Sequence, residues 1–99
     1  MTSFVVRPRA DADIETLLEH LAEMAGPTVA RRYALELDVT FERPTMFPAS
    51  GARRRSLAPY ARIAVVSPYV IVYDHHRGEV VIVRVLDGRR KVTRRVVRQ

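Results

Sequence analysis

At about Tyr60 the apolar residues of this 99-residue chain change period, from a helical spacing to nearly continuous β-branched runs. An amphipathic helix requires the first pattern and a buried strand the second, so the chain must place helices first and a sheet after them. Upstream, Ile14, Leu17, Leu18, Leu21 and Ala25 make one stripe, and Ala30, Tyr33, Ala34, Leu37 and Phe41 make another. Gly26-Pro27 separates them, because glycine closes a helix in the left-handed conformation and proline, with no N–H to leave unpaired, opens the next. Asp11 or Asp13 is the expected N-cap of the first helix. The second runs from Pro27 to about Phe41 and is stopped by Arg43-Pro44. The two form a helical hairpin.

Ahead of the hairpin, Ser3 to Arg7 reads as an edge strand closed by Pro8. Behind it, residues 44 to 58 carry Pro44, Pro48, Gly51 and the run Arg53-Arg54-Arg55, with neither period, and read as a long ordered loop. Tyr60 to Val66, Tyr69 to Asp74 and Glu79 to Leu86 then form three strands of an antiparallel meander. Ser67-Pro68 and His75-His76-Arg77-Gly78 are its turns. The last strand is apolar on both faces except at Arg84, which alternation places on the face of Ile82 and Leu86. The tail fits either a short helix or an added strand. The expected fold is α+β: an N-terminal strand and a helical hairpin packed on one face of a small, mainly antiparallel, twisted sheet. It forms one domain over residues 1–99, of which 88–99 are a basic tail.

Charge divides along the same boundary. Residues 1–42 hold four arginines against eight carboxylates, whereas 43–99 hold thirteen basic groups against Asp74, Glu79 and Asp87, which together make the net +6. Such polarity points to an anionic partner for one face. With no cysteine there is no disulfide, thiol nucleophile or thiolate metal site. No apolar run is long enough to span a bilayer and the N-terminus has no secretory h-region, so a soluble, unexported, cytoplasmic protein is expected.

Enzymatic motifs are scarce. His75 and His76 are adjacent and lack a third ligand at a metal-site spacing, so they read as turn histidines and no metal or cofactor is expected. Ser50, Ser56 and Ser67 sit in no nucleophile elbow, and neither a P-loop nor a dinucleotide fingerprint is present. Asp11, Asp13 and Glu15 complement the dipole at a helix start rather than forming an acid/base cluster. What remains is arginine. Arg53, Arg54, Arg55, Arg62, Arg84, Arg89 and Arg90 come from a loop, two strands and the chain end. Guanidinium groups grip phosphate or carboxylate through paired hydrogen bonds but are poor proton acceptors.

The order of these parts, with "DIETLLEHLAEMAGPTVARRYALELDVTFERP", "MFPASGARRRSL" and "PYVIVYDHHRGEVVIVRVLDGRR", resembles the RelE/ParE superfamily of type II toxins, most closely its ParE branch. The most specific part is the strand pair Pro68 to Tyr73 and Val80 to Leu86 followed by Asp87-Gly88-Arg89-Arg90, although Asp87 stands where that branch often has histidine. The resemblance implies a bacterial toxin that inhibits DNA gyrase and is neutralised, in a hetero-oligomer, by a cognate acidic antitoxin from an adjacent gene. Under this reading Arg62, Arg84, Arg89 and Arg90 bind the target, while Leu18, Leu21, Tyr33, Arg53, Arg54 and Arg55 bind the antitoxin. The alternative is a RelE-like endoribonuclease cutting messenger RNA on the ribosome with Arg53, Arg55, Arg62 and Arg84 and a proton carried by His75 or His76. The tail Val96-Val97-Arg98-Gln99 offers no terminal Tyr or His for that role.

Overall fold

The protein was analysed as a computed structural model that describes residues 4–47 and 49–99; Ser3 of the expected first strand and Pro48 of the expected loop lie outside the described residues. The elements are β1 (Phe4–Val6), α1 (Pro8–Ala25), α2 (Pro27–Met46), β2 (Ala52–Arg53), β3 (Ala61–Val66), β4 (Tyr69–His76), β5 (Glu79–Asp87) and α3 (Arg94–Arg98). They make a mixed five-stranded sheet in the order β1-β5-β4-β3-β2. β1 lies parallel to β5 at the edge, with Phe4 opposite Val80 and Val6 opposite Ile82, and every other pairing is antiparallel.

α1 and α2 cover one face of this sheet. Leu17, Leu37 and Phe41 are buried against Ile71, Tyr73, Val80, Ile82 and Val85, with Ile14, Leu18, Leu21 and Tyr33 packed around them. Ala25, expected on the stripe, is exposed at the end of α1. Two edge-to-face aromatic pairs, Phe4 with Phe41 and Tyr33 with Tyr69, fix α2 across the sheet, and the Tyr33 hydroxyl donates to the Ser67 carbonyl.

The helix boundaries differ from expectation for identifiable reasons. Neither Asp11 nor Asp13 caps α1: Pro8 occupies the first turn, Arg7 is the cap, and Asp11 lies in the first turn as a dipole partner. Arg43-Pro44 does not stop α2, which continues to Met46 with Pro44 inside it. Proline's fixed φ is helical, and so near the C-terminus it costs one backbone hydrogen bond while its ring is buried. Gly26 sits at φ 91°, ψ 164°, an extended mirror-image conformation reserved to glycine rather than the compact left-handed one, so the hairpin turns sharply. The segment read as loop contains the short β2.

The second face of the sheet is covered as well. Leu57, Ala61, Val72, Leu86 and Val97 form a second cluster, joined by Ile63, Val70, Val83, Val92 and Val96. The tail resolves its ambiguity as a helix: the Thr93 hydroxyl accepts from the Val96 N–H, and Val97 points inward. His75 and His76 are the last residues of β4 rather than turn residues, and the connection shrinks to Arg77-Gly78, both at positive φ.

Candidate functional site

The position of Arg84 follows from a bulge. Val72 pairs with Arg84 but Tyr73 pairs with Ile82, so Val83 is an extra residue and alternation restarts after it. Ile82 therefore faces the helices while Arg84 and Leu86 face the second cluster, which corrects the expectation that all three share a face. Arg84 is 3% exposed. Its Nε donates to Asp13 Oδ2 at 2.7 Å, its Nη2 to Asp13 Oδ1 at 3.1 Å, and its Nη1 to the Val96 carbonyl at 2.6 Å. The same carboxylate accepts the Val85 N–H at 3.0 Å, beyond the point where β1 stops pairing with β5. Arg84 is thus a tie between α1, β5 and α3, and not the surface contact expected of it.

Arg89 and Arg90 follow β5 on a turn held from two sides. The Gly88 N–H donates to the Pro68 carbonyl at 2.7 Å. A β-carbon at Gly88 would stand 2.8 Å from that carbonyl oxygen and from a Val70 methyl, so only glycine fits. Asp87 accepts the Arg89 Nη2–H at 2.6 Å and the Arg89 backbone N–H at 2.9 Å. These bonds pull the Asp87 carboxyl down to about 2 and raise the Arg89 guanidinium above its ordinary value. Arg9 and His20 from α1, Tyr69 from β4 and the Asp87–Arg90 turn enclose a cleft of about 370 Å³ with Arg84 and Asp13 in its wall. Burial is the main cause that raises the Tyr69 phenol above its ordinary range, with Tyr33 and Asp87 adding to it.

The remaining expected site residues do not converge. Arg62 pairs with Tyr73 and so lies toward the helix-covered face, opposite to Arg84; its Nη1 donates to the Gly51 carbonyl at 2.6 Å. Arg53 stands across from it on β2, and Arg54 and Arg55 are exposed beyond. His76 is stacked on Tyr60 with ring centres 3.7 Å apart. Its strand neighbour His75 pairs with Val80 on the other face. The set Arg53, Arg55, Arg62, Arg84, His75 and His76 is therefore split between two faces and builds no common centre. Leu18, Leu21 and Tyr33, expected to meet a partner, are half-buried and packed against the core. Among the described residues no group of three His, Asp or Glu could hold a metal ion, and no helix is long and apolar enough to cross a membrane.

Sequence reasoning missed a different apolar surface. Leu35 and Val39, one turn apart on α2, are 61% and 60% exposed, and Val65 on β3 is 59% exposed beside them. They line a groove of about 500 Å³ rimmed by Arg32, Arg43 and Glu36. β2 pairs with Arg62 and Ile63, so among the described residues no strand flanks residues 64–66 of β3 on that side. The signal was in the sequence as two aliphatic residues at i, i+4 on the otherwise charged side of α2.

The family model described as the ParE toxin of type II toxin-antitoxin system, parDE, matches residues 4–92. Toxin ParE3 of Caulobacter vibrioides is 33% identical over 86 residues, which are 86% of either protein. A chain of the chromosomal ParDE TA system from P. aeruginosa superposes with a TM-score of 0.70 at 22% identity, covering 86% of this chain and 94% of that one, and shares its fold. With the strand, helical hairpin, sheet and Gly88-Arg89-Arg90 turn in place, the chain belongs to the ParE toxins of type II toxin-antitoxin systems, within the RelE/ParE superfamily.

Proposed function

We propose that this protein arrests bacterial growth by inhibiting DNA gyrase in the cytoplasm, and that a cognate acidic antitoxin neutralises it by occupying the α2–β3 groove. The reading rests on one observation above all: Arg9, Arg89 and Arg90 stand around one cleft, and the orientation of Arg89 is fixed by Asp87 and Gly88. A preset guanidinium binds a carboxylate or phosphate with less ordering cost than a mobile one, which suits a rigid contact to a large target. The groove supplies the antitoxin contact, with an apolar wall at Leu35 and Val39 beside the edge of β3 and cationic rims at Arg32 and Arg43 for acidic side chains.

The purified chain is expected to block gyrase supercoiling or to trap cleaved DNA, and prior addition of the antitoxin should abolish the effect. Unimpaired supercoiling at saturating protein, together with cleavage of messenger RNA on translating ribosomes, would replace this reading by the nuclease one.

A further inference from the structure

Another cavity lies away from the Arg89–Arg90 turn, between the second face of the sheet, α3 and the segment before β3. It measures about 560 Å³, within the range of small-ligand sites. Leu57, Val72, Val83 and Val97 give it an apolar floor, and Arg7, Arg9, Arg84, Arg94 and Arg98 stand around it with Asp74 as the one acidic side chain. Arg84 is held by Asp13 and the Val96 carbonyl, whereas Arg9, half exposed, gives a single Nη1–H to Asp13 at 3.1 Å. Arg94 spends only its Nε–H, on the Ser56 carbonyl at 3.3 Å, and among the described residues no carboxylate pairs with Arg7, Arg94 or Arg98. Three guanidinium groups therefore face one carboxylate across an apolar floor. Tyr60, which in sequence stands between the lining residues Pro59 and Ala61 without lining the cavity itself, is half exposed and stacked on His76.

We propose that this cavity binds a nucleotide, its base on the apolar floor and its phosphate held by Arg7, Arg94 and Arg98. The excess positive charge matches a phosphoryl group, and planar forks bind its oxygens in pairs. An acidic helical segment would need a long groove, whereas here Arg7, at the cap of α1, and Arg94 and Arg98 of α3 line a single compact cavity. The Tyr60–His76 stack extends the flat surface on which a second base can lie. No bond is made or broken. The proposal is independent of the toxin reading, because binding is its readout and not growth or supercoiling.

The test is a titration of the full chain with ADP, with a short single-stranded oligodeoxynucleotide, with inorganic phosphate and with a glutamate-rich peptide, followed by methyl NMR and calorimetry. ADP or the oligonucleotide should shift the methyl signals of Leu57, Val72 and Val83, and phosphate should bind at least roughly tenfold more weakly because it leaves the floor uncovered. Preference for ADP identifies a free nucleotide, and binding of the oligonucleotide alone identifies a nucleotide within a strand. In Arg7→Glu/Arg98→Glu, where both side chains are exposed, affinity should fall about 100-fold, whereas Arg32→Glu in the other groove should leave it unchanged. The proposal is overturned if neither nucleotide probe moves those methyls, if phosphate binds as tightly as ADP, if the peptide binds more tightly than either probe, or if the double variant binds like the native chain. The methyl shifts of the unsubstituted protein decide the matter even if the double variant does not fold.

Discussion

Asp13 and Arg84, 71 positions apart in the chain, meet in a 2.7 Å ion pair between α1 and β5 whose side chains are less than a tenth exposed. A buried pair of this kind is weak evidence of net stabilisation, since both ions have been stripped of water, but removing one partner leaves the other charged and unmet. Arg84→Ala or Asp13→Ala should cost about 3–5 kcal/mol in denaturant unfolding, a large share of the stability of a domain this size. Replacing both, as Asp13→Leu/Arg84→Met, should recover most of that loss. If Arg84→Ala alone unfolds at the native midpoint, the tie between α1 and α3 is decorative.

The Gly88 turn makes a second, local demand. In Gly88→Ala the new methyl meets the Pro68 carbonyl and a Val70 methyl at 2.8 Å, both part of the β3–β4–β5 meander. About 1–3 kcal/mol of destabilisation is expected, as for overpacking in a core, with a visible change in the Arg89 amide resonance.

Acid should release the Asp87 clamp. Its carboxyl is lowered from 3.8 to about 2, so its contribution to the fold is complete above the unfolded value, fades as the pH drops through about 2, and is absent below. The Arg89 Nε–H signal should stay sharp at pH 4 and exchange rapidly under pH 2. A carboxyl midpoint near 4 in an NMR titration would show that the pair is not formed in solution.

Arg90 is exposed and, among the described residues, its side chain pairs with no carboxylate, so Arg90→Glu should leave the unfolding midpoint within about 0.5 kcal/mol of native. Gyrase inhibition should then require at least about tenfold more protein, the loss of one charge-assisted contact. Unchanged inhibition would remove the cleft from the target surface.

Leu35→Asp and Val39→Asp change side chains already in water, and stability should barely move. Affinity for the antitoxin should fall by roughly 30-fold or more, as for a central apolar contact. Co-purification of the double variant with the antitoxin at native yield would place the partner elsewhere.

The three meander strands and the hairpin were legible because each obeys one period over many residues, and β1 because proline closes it. Two devices were not. The bulge at Val83 inserts a single residue into an otherwise regular apolar run, and nothing in valine's chemistry marks it as unpaired, so alternation put Ile82 on the face of Arg84 and Leu86, from which the bulge separates it. Asp13 reads as one more acid at a helix start, since its partner Arg84 is remote in sequence and ion pairs leave no periodic trace. The same mechanism hid the role of Arg84: it looked like a binding group by residue type, and only its burial shows that its charge is spent internally. Conversely, Gly88-Arg89-Arg90 was found from three consecutive residues, because a glycine demanded by close approach and two adjacent guanidinium groups form a local signature.

β1 pairs with β5 through Phe4 and Val80, so the first strand has no seat until the chain has been made as far as Ile82. The helical hairpin, whose contacts are local in sequence, can therefore form before the sheet it lies on, while the parallel edge at β1 closes only after β5 is in place.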